Sequence, residues 1–224
     1  MKRFLFLAVV CFAQMASAAW KEPIQVEGGL VSGTPAWGWG VRLYRGIPYA
    51  APPLGDLRWR PPQPVIPWQG VLAADHFSFA CMQRPRSQEN IGWRDGLVPT
   101  SEDCLYLNVW TAAKSPEDKL PVMVWIHGGG FREGSGAETA WHGDNLAKKG
   151  VVLITFNYRL TVFGFFAHPD LTAESEHHAS GNYALLDQIA ALRWVQKHIA
   201  HFGGDPNNVT IFGQSAGGVA SGGP

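Results

Sequence analysis

Hydrophobic and polar residues follow two patterns along the chain, and each pattern indicates a different kind of strand. Apolar and polar residues alternate at residues 24–27, 41–44 and 105–110, which is typical of half-buried strands. We expect the first two to form an antiparallel edge. Residues 122–126 and 151–156 are instead continuously apolar, as in strands of a parallel sheet that are covered on both faces.

Helices are predicted between and after the two apolar runs. Residues 140–149 predict a short helix closed by Gly150, which completes a β-α-β unit, and residues 183–201 predict a longer amphipathic helix. A third apolar strand follows at residues 209–212. We therefore predict an α/β fold with a mostly parallel central sheet and antiparallel N-terminal edge strands. The apolar face of the longer helix is formed by Leu185, Ile189, Leu192, Val195 and Ile199.

The N-terminus has the pattern of an export signal. Two cations precede an uninterrupted apolar run at residues 4–13, and residues 16–18 (Ala-Ser-Ala) form a small-x-small cleavage site. We predict that residues 1–18 are a signal peptide and that residues 19–224 are exported, to the periplasm or outside the cell. The alternative is a membrane anchor, but the run is much shorter than the roughly 20 residues that span a bilayer, and no later segment reaches that length.

Composition narrows the class of protein. Of 224 residues, 46% are hydrophobic and 16% are charged, so a disordered or fibrous chain is excluded and one domain with a core is expected. Lys plus Arg and Asp plus Glu both number 18, giving a net charge of 0. No cluster of Lys and Arg residues is present that could bind a phosphate backbone, which argues against nucleic-acid binding.

The cysteine count agrees with export. The chain has three cysteines, and Cys11 lies in the predicted signal, which leaves Cys81 and Cys104 as a pair. In an oxidising compartment we predict that these two form a disulfide. The alternative is two buried free thiols.

Two glycine-rich motifs directly follow predicted strands, where α/β sheets place their sites. Residues 213–217 (Gly-Gln-Ser-Ala-Gly) match G-x-S-x-G, whose glycines allow a sharp turn that presents Ser215. Residues 127–131 (His-Gly-Gly-Gly-Phe) offer backbone N–H groups to a developing oxyanion. The alternatives are a tight turn and a phosphate-binding loop, and the latter is disfavoured because no G-K-[ST] or G-x-G-x-x-G occurs. Together the motifs favour a nucleophilic serine.

Six segments, in this order, resemble the type B carboxylesterase/lipase family, which includes the cholinesterases. They are residues 102–108 (Glu-Asp-Cys-Leu-Tyr-Leu-Asn), 127–131, 157–160 (Asn-Tyr-Arg-Leu), 181–188, 202–206 (Phe-Gly-Gly-Asp-Pro) and 213–217. The resemblance extends from about Gly28 to Gly218. It implies an α/β-hydrolase fold with Ser215 as the nucleophile. The implied oxyanion donors are the backbone N–H groups of Gly129, Gly130 and Ala216.

The same resemblance implies the chemistry and two structural links. The reaction would be hydrolysis of a small-molecule carboxylic ester through an acyl-enzyme, with no metal and no cofactor. The links would be a Cys81–Cys104 disulfide and an ion pair between Arg58 and Glu102.

Two positions depart from the family pattern. Gln214 stands where many members have Glu, which removes a negative charge beside Ser215 and puts any inference about cationic substrates in doubt. Trp93 lies roughly where cholinesterases have a cation-binding tryptophan, the alternative being an ordinary surface or core tryptophan.

The remaining catalytic groups are not found after Ser215. Triads of α/β-hydrolases run Ser, acid, His along the chain, but residues 216–224 contain neither acid nor histidine. Residues 221–224 (Ser-Gly-Gly-Pro) are also atypical of the helix that should follow the nucleophile. Family members are roughly twice this length or more. We therefore expect an incomplete N-terminal part of the domain, inactive alone, with residues 209–212 as an unpaired edge strand.

Two non-catalytic alternatives stay open. The protein could be an adhesion or binding protein on the same fold, or a short exported binding module that uses the ester pocket as a ligand site. An intact Ser215 beside a complete glycine loop argues against adhesion, because adhesion requires neither.

Overall fold

A six-stranded sheet forms the centre of the computed structural model, which describes residues 20, 22–35, 40–84 and 99–222. In chain order the strands are β1 (Ile24–Val26), β2 (Gly29–Ser32), β3 (Thr34–Pro35), β4 (Arg42–Pro48), β5 (Val71–Ala73), β6 (Ala80–Cys81), β7 (Thr100–Ser101), β8 (Tyr106–Thr111), β9 (Leu120–Ile126), β10 (Val152–Phe156) and β11 (Gly204–Gly213). The central sheet has the order β11-β9-β10-β8-β4-β3. Its parallel part is β11-β9-β10, while β8, β4 and β3 pair antiparallel. This is the α/β arrangement with antiparallel N-terminal strands that the sequence predicted.

The first alternating segment forms a strand outside the central sheet. β1 pairs antiparallel with β2, and β2 pairs in parallel with β5, in a separate three-stranded sheet of the described residues. The expectation that residues 24–27 belong to the same antiparallel edge as residues 41–44 is therefore wrong. Alternation shows that one face of a strand is buried, but it does not show which sheet the strand joins.

The described helices lie between and after the later strands. They are α1 (Asp144–Ala147), α2 (Thr161–Phe165), α3 (Pro169–Glu174), α4 (Tyr183–His198) and α5 (Ala216–Gly222). Two of them, α2 and α3, were not predicted. The helix predicted over residues 140–149 is reduced to a 3-10 turn, Thr139–Trp141, followed by the single turn α1. The longer predicted helix is α4, which continues as the 3-10 segment Ile199–Phe202.

The buried face of α4 differs from the predicted one. Leu185 and Ile189, which were expected to face the core, are 37% and 43% exposed. Val195 and Ile199, from the same predicted face, are fully buried as expected. In the first half of the helix the buried side is instead formed by Ala184 and by Asp187, which pairs with Arg159. The buried residues of α4 are Tyr183, Ala184, Asp187, Gln188, Ala191, Trp194, Val195 and His198. A spacing based only on large apolar residues therefore predicted the second half of the buried face and missed the first.

The end of the described chain is more regular than predicted. β11 begins at Gly204, with a register shift between Gly204 and Val209, and it lies at the edge of the central sheet as expected. α5 runs on to Gly222, so the expectation that residues 221–222 would not be helical is wrong. The hydroxyl of Ser221 donates to the carbonyl oxygen of Gly218 at 2.9 Å within that last turn.

A large hydrophobic core lies around the central sheet. All five residues of β10 are buried, and aromatic rings from distant segments meet there, as where Tyr44 contacts Phe202 edge-on at 4.9 Å. Within the described residues, no helix has both the length and the hydrophobicity needed to cross a bilayer. The predicted signal at residues 1–18 and Trp93 lie outside the described residues.

Candidate active site

The two glycine-rich motifs leave the sheet at the same level of adjacent strands. β9 and β11 are parallel neighbours, and Gly213, the last residue of β11, pairs with Ile126, the last residue of β9. Residues 127–131 continue from β9, and Ser215 follows β11 after one intervening residue. The carboxyl ends of parallel strands lie at one edge of a sheet, so both motifs meet there.

The backbones of the two motifs are in direct contact. A Cβ at Gly128 would collide with the carbonyl oxygen of Gln214, and a Cβ at Gly217 would collide with the carbonyl oxygen of Ile126. Only glycine allows this approach from both sides. The glycines of one motif thus leave room for the backbone of the other.

Ser215 occupies a strained turn between β11 and α5. Its φ is 54°, in the left-handed region that non-glycine residues rarely adopt, and its side chain is exposed. Strain of this kind persists only where the surrounding structure holds it, and it often occurs at functional sites. Ala216 is the first residue of α5, so its N–H has no partner within the helix.

The loop after β9 presents two further N–H groups. Gly129 and Gly130 have φ angles of 112° and 61°, and neither N–H donates a hydrogen bond to a described residue. The loop closes on itself, because the N–H groups of Arg132 and Glu133 donate to the carbonyl oxygen of Gly129 at 3.0 and 3.2 Å. The segment 128–134, which contains the two glycines that the sequence predicts as oxyanion donors, is called the oxyanion loop below.

His127 supports this loop from within the core. It is buried, its Nδ1 lies 2.9 Å from the carbonyl oxygen of Gly128, and its ring stacks on Tyr158 at 4.3 Å. The Tyr158 hydroxyl donates to the carbonyl oxygen of His127 at 2.6 Å, and burial raises the pKa of Tyr158. Tyr158 therefore stays a neutral donor that fixes the beginning of the oxyanion loop.

Two carboxamide side chains hold the last residue of the oxyanion loop and the residues that follow it. Gln83 accepts from the N–H of Gly134 at 2.9 Å and donates to the carbonyl oxygen of Gly134 at 2.9 Å. Asn157 accepts from the N–H of Gly136 at 2.8 Å and donates to the carbonyl oxygen of Phe79 at 2.8 Å. No motif or spacing predicted a role for Gln83, and Asn157 was predicted only as part of a family segment.

Residues 21–221 match the profile of the carboxylesterase family. The chain belongs to the carboxylesterase family. It is 52% identical over 182 residues to the fumonisin B1 esterase of Sphingopyxis macrogoltabida, covering 81% of this chain and 33% of that one. It is 47% identical over 204 residues to a cocaine esterase of Oryctolagus cuniculus, covering 88% and 36%.

Solved carboxylesterase structures give the same assignment. A PNB esterase superposes with a TM-score of 0.78 at 43% identity, covering 88% of this chain and 39% of that one. A carboxylesterase of Geobacillus stearothermophilus gives a TM-score of 0.76 at 43% identity, covering 88% and 38%. This member of the carboxylesterase family therefore has the α/β-hydrolase fold, and it spans about a third of the length of the curated relatives that it matches.

The two links that the family resemblance implied are present in the structure. Cys81 and Cys104 form a disulfide with an S–S distance of 2.04 Å. The guanidinium of Arg58 donates to both carboxylate oxygens of Glu102, at 2.5 and 2.6 Å.

A second, fully buried ion pair was not predicted. Arg159 donates through Nε and Nη2 to the two carboxylate oxygens of Asp187, at 2.8 and 2.7 Å, and the backbone N–H of Arg159 adds a bond of 3.0 Å. Burial raises the pKa of Asp187, and the hydrogen bonds from Arg159 oppose that shift. An acidic residue within an amphipathic helix was the signal that could have revealed this pair.

The structure thus brings Ser215, Gln214 and Ala216 against the loop that contains Gly129 and Gly130. His142 is not part of this site, because its Nε2 lies 3.2 Å from the carbonyl oxygen of Ala137. In the part of the chain that the structure describes, no three His, Cys, Asp or Glu side chains gather as a candidate metal site.

Proposed function

We propose that this protein hydrolyses carboxylic esters with Ser215 as its nucleophile. The observation that carries the proposal is the contact between the motifs: a strained, exposed serine lies beside a glycine loop with two N–H groups that bond no described residue. Family membership supports the reaction class.

The proposed reaction passes through an acyl-enzyme. The Ser215 hydroxyl oxygen attacks the acyl carbon while a base takes its proton, and the carbonyl oxygen becomes an oxyanion. The N–H groups of Gly129, Gly130 and Ala216 would donate to that oxyanion. The tetrahedral intermediate collapses, the alcohol leaves with the proton, and water then attacks the acyl-enzyme to release the acid.

The base and its orienting acid would come from outside residues 1–224. Residues 216–224 contain neither histidine nor acid, and α/β-hydrolase triads run Ser, acid, His. We propose accordingly that these 224 residues alone do not turn over esters. No metal or cofactor enters this mechanism.

We propose that the substrates are small-molecule esters that are uncharged or anionic, and that the enzyme is exported. Gln214 is neutral and exposed beside Ser215, so it offers no charge to attract a cationic substrate. Relatives are named for fumonisin B1, cocaine and para-nitrobenzyl esters, which favours a pocket open to bulky esters. Export rests on the signal pattern of residues 1–18.

The test uses the protein expressed from its complete reading frame, with the codons that follow residue 224. We expect a burst of p-nitrophenol from p-nitrophenyl esters and labelling of Ser215 by a fluorophosphonate. Ser215→Ala should lose at least about 10⁴-fold in kcat and all labelling. Ser221→Ala is the matched control, because that serine lies on α5, the helix that follows the Ser215 turn, and should keep wild-type activity.

Two results would refute the proposal. One is equal labelling of the wild type and Ser215→Ala. The other is a folded wild type with neither burst nor adduct, which would favour a non-catalytic binding protein on this fold.

A further inference from the structure

Gln83 is the side chain that fixes the end of the oxyanion loop. Its carboxamide bonds both polar groups of one peptide residue: Oε1 accepts from the N–H of Gly134, and Nε2 donates to the carbonyl oxygen of Gly134, each at 2.9 Å. Nε2 also donates to the carbonyl oxygen of Cys81 at 3.0 Å. A carboxamide is the side chain that can donate and accept in this paired manner.

The two bonds between Gln83 and Gly134 are called the clamp below. Through Gly134, the clamp also restrains the beginning of the oxyanion loop. The φ of Gly134 is 123°, and a Cβ there would collide with Nδ1 of His127 and lie 2.5 Å from the carbonyl oxygen of Gly128. The two ends of the loop therefore touch at Gly134. Holding this residue limits how far Gly129 and Gly130, which lie between the ends, can move.

Gln83 is itself attached to a rigid support. It lies two residues after Cys81, which is bonded to Cys104 by the disulfide and pairs with Ser101 between β6 and β7. The N–H of Ala80 adds a bond of 3.0 Å to the carbonyl oxygen of Pro99. The clamp thus connects the oxyanion loop to a covalently closed part of the chain, 51 residues away along the sequence.

We propose that Gln83 is a positioning residue of the ester-hydrolysing site, which holds the Gly129 and Gly130 N–H groups in the geometry that binds the oxyanion. This inference rests on the function proposed above. Oxyanion hydrogen bonds act mainly in the transition state, so a loosened loop lowers kcat more than it raises KM.

Three variants of the protein from the complete reading frame test the clamp. Gln83→Ala removes both bonds to Gly134. Gln83→Glu keeps an acceptor for the Gly134 N–H but places a carboxylate against the Gly134 carbonyl oxygen. Gln63→Ala is the matched control, because Gln63 is an exposed glutamine whose amide, among the described residues, bonds only a local carbonyl, that of Pro61, at 2.9 Å.

The first readout is amide hydrogen exchange followed by NMR. In Gln83→Ala we expect exchange at Gly134 to accelerate roughly 10- to 100-fold, the effect of losing two hydrogen bonds. Exchange at Gly136 should change little, because Asn157 holds that N–H. Gln83→Glu should recover most of the protection at Gly134, and Gln63→Ala should match the wild type.

The second readout is steady-state kinetics with p-nitrophenyl acetate. Gln83→Ala should lower kcat roughly 10- to 100-fold with KM within about threefold, and Gln83→Glu should lie between it and the wild type. Unchanged kcat, or a parallel loss of protection at Gly134 and Gly136, would overturn the positioning role. If the wild type itself neither hydrolyses nor labels, the proposed function fails, and unaltered exchange at Gly134 would then overturn the clamp separately.

Discussion

Gly217 and Gly218 are neighbours in α5, but only Gly217 lacks room for a side chain. A Cβ at Gly217 would collide with the carbonyl oxygen of Ile126, whereas a Cβ at Gly218 would lie 3.4 Å from the carbonyl oxygen of Gly213. We expect Gly217→Ala to lower the free energy of unfolding by about 2–3 kcal/mol, because the backbone must shift. Gly218→Ala should raise it by about 0.5–1 kcal/mol, since alanine favours helix.

Urea unfolding followed by circular dichroism measures both variants, and each serves as the other's control. Both exchange one glycine for alanine in the same helix, so a difference between them reports the contact of α5 with β9. Equal stabilities would contradict that contact.

Single residues were predictable where chemistry leaves few alternatives. Ser215 and its flanking glycines could be found because a sharp strand-to-helix turn demands glycine at fixed spacing. Gln83 could not, because a glutamine near a cysteine matches no period or motif. Its partner Gly134 is distant in sequence, and only the fold brings the two together.

At the scale of elements, α4 is joined to the segment after β10 by the buried pair of Arg159 and Asp187. Arg159 is 3% and Asp187 is 0% exposed. We expect Asp187→Ala to lower the free energy of unfolding by about 3–5 kcal/mol, because it leaves a buried guanidinium without its partner. Chemical denaturation measures the loss.

The double variant Arg159→Met with Asp187→Leu provides the control. Replacing both charges by apolar groups of similar size is often close to neutral, so it should recover more than half of the loss. A double variant as unstable as Asp187→Ala would show that packing under α4, and not the stranded charge, sets the cost.

The sequence predicted which segments form strands and helices better than it predicted which face of a helix is buried. Residues 122–126 and 151–156 were correctly predicted as the strands β9 and β10, because short continuous apolar runs are typical of buried parallel strands. The face of α4 was misjudged in the first half of the helix, which buries Ala184 and Asp187 while it leaves Leu185 partly exposed. Periodicity ranks side chains by hydrophobicity, so it cannot predict the burial of a charged side chain whose partner is distant in sequence.

At the scale of the whole molecule, the separate sheet of β1, β2 and β5 contacts the end of α4 near His198. Lys197 pairs with Glu27 at 3.0 Å, and His201 lies 2.8 Å from the carbonyl oxygen of Gln25. His198 is 5% exposed, and neither ring nitrogen bonds a described residue. Burial lowers the pKa of His198 to about 4, with further lowering by Lys197 and His201 and a small opposing effect of Glu27.

This burial makes stability depend on pH. The folded-state pKa of His198 lies below the unfolded value of about 6.5, so the unfolded chain binds more protons between pH 6.5 and 4. We expect the contribution of His198 to fall by up to about 3 kcal/mol as the pH drops through that range. Urea titrations at pH 7, 5.5 and 4 measure this decline.

His198→Phe should flatten the pH dependence, since a phenyl ring can keep the contact with Trp194 but cannot bind a proton. His177→Phe, at an exposed histidine, should leave it unchanged. An equally steep decline in His198→Phe would assign the acid sensitivity to other groups.

The order of the strands also determines when the site can be built. β11 lies beside β9, but β10 and α4 come between them in the chain. As the polypeptide leaves the ribosome, residues 127–131 emerge well before the serine turn that covers Gly128. Contacts of such long sequence separation form slowly, because much chain must be ordered first. The oxyanion loop is therefore synthesised well before the serine turn against which it packs.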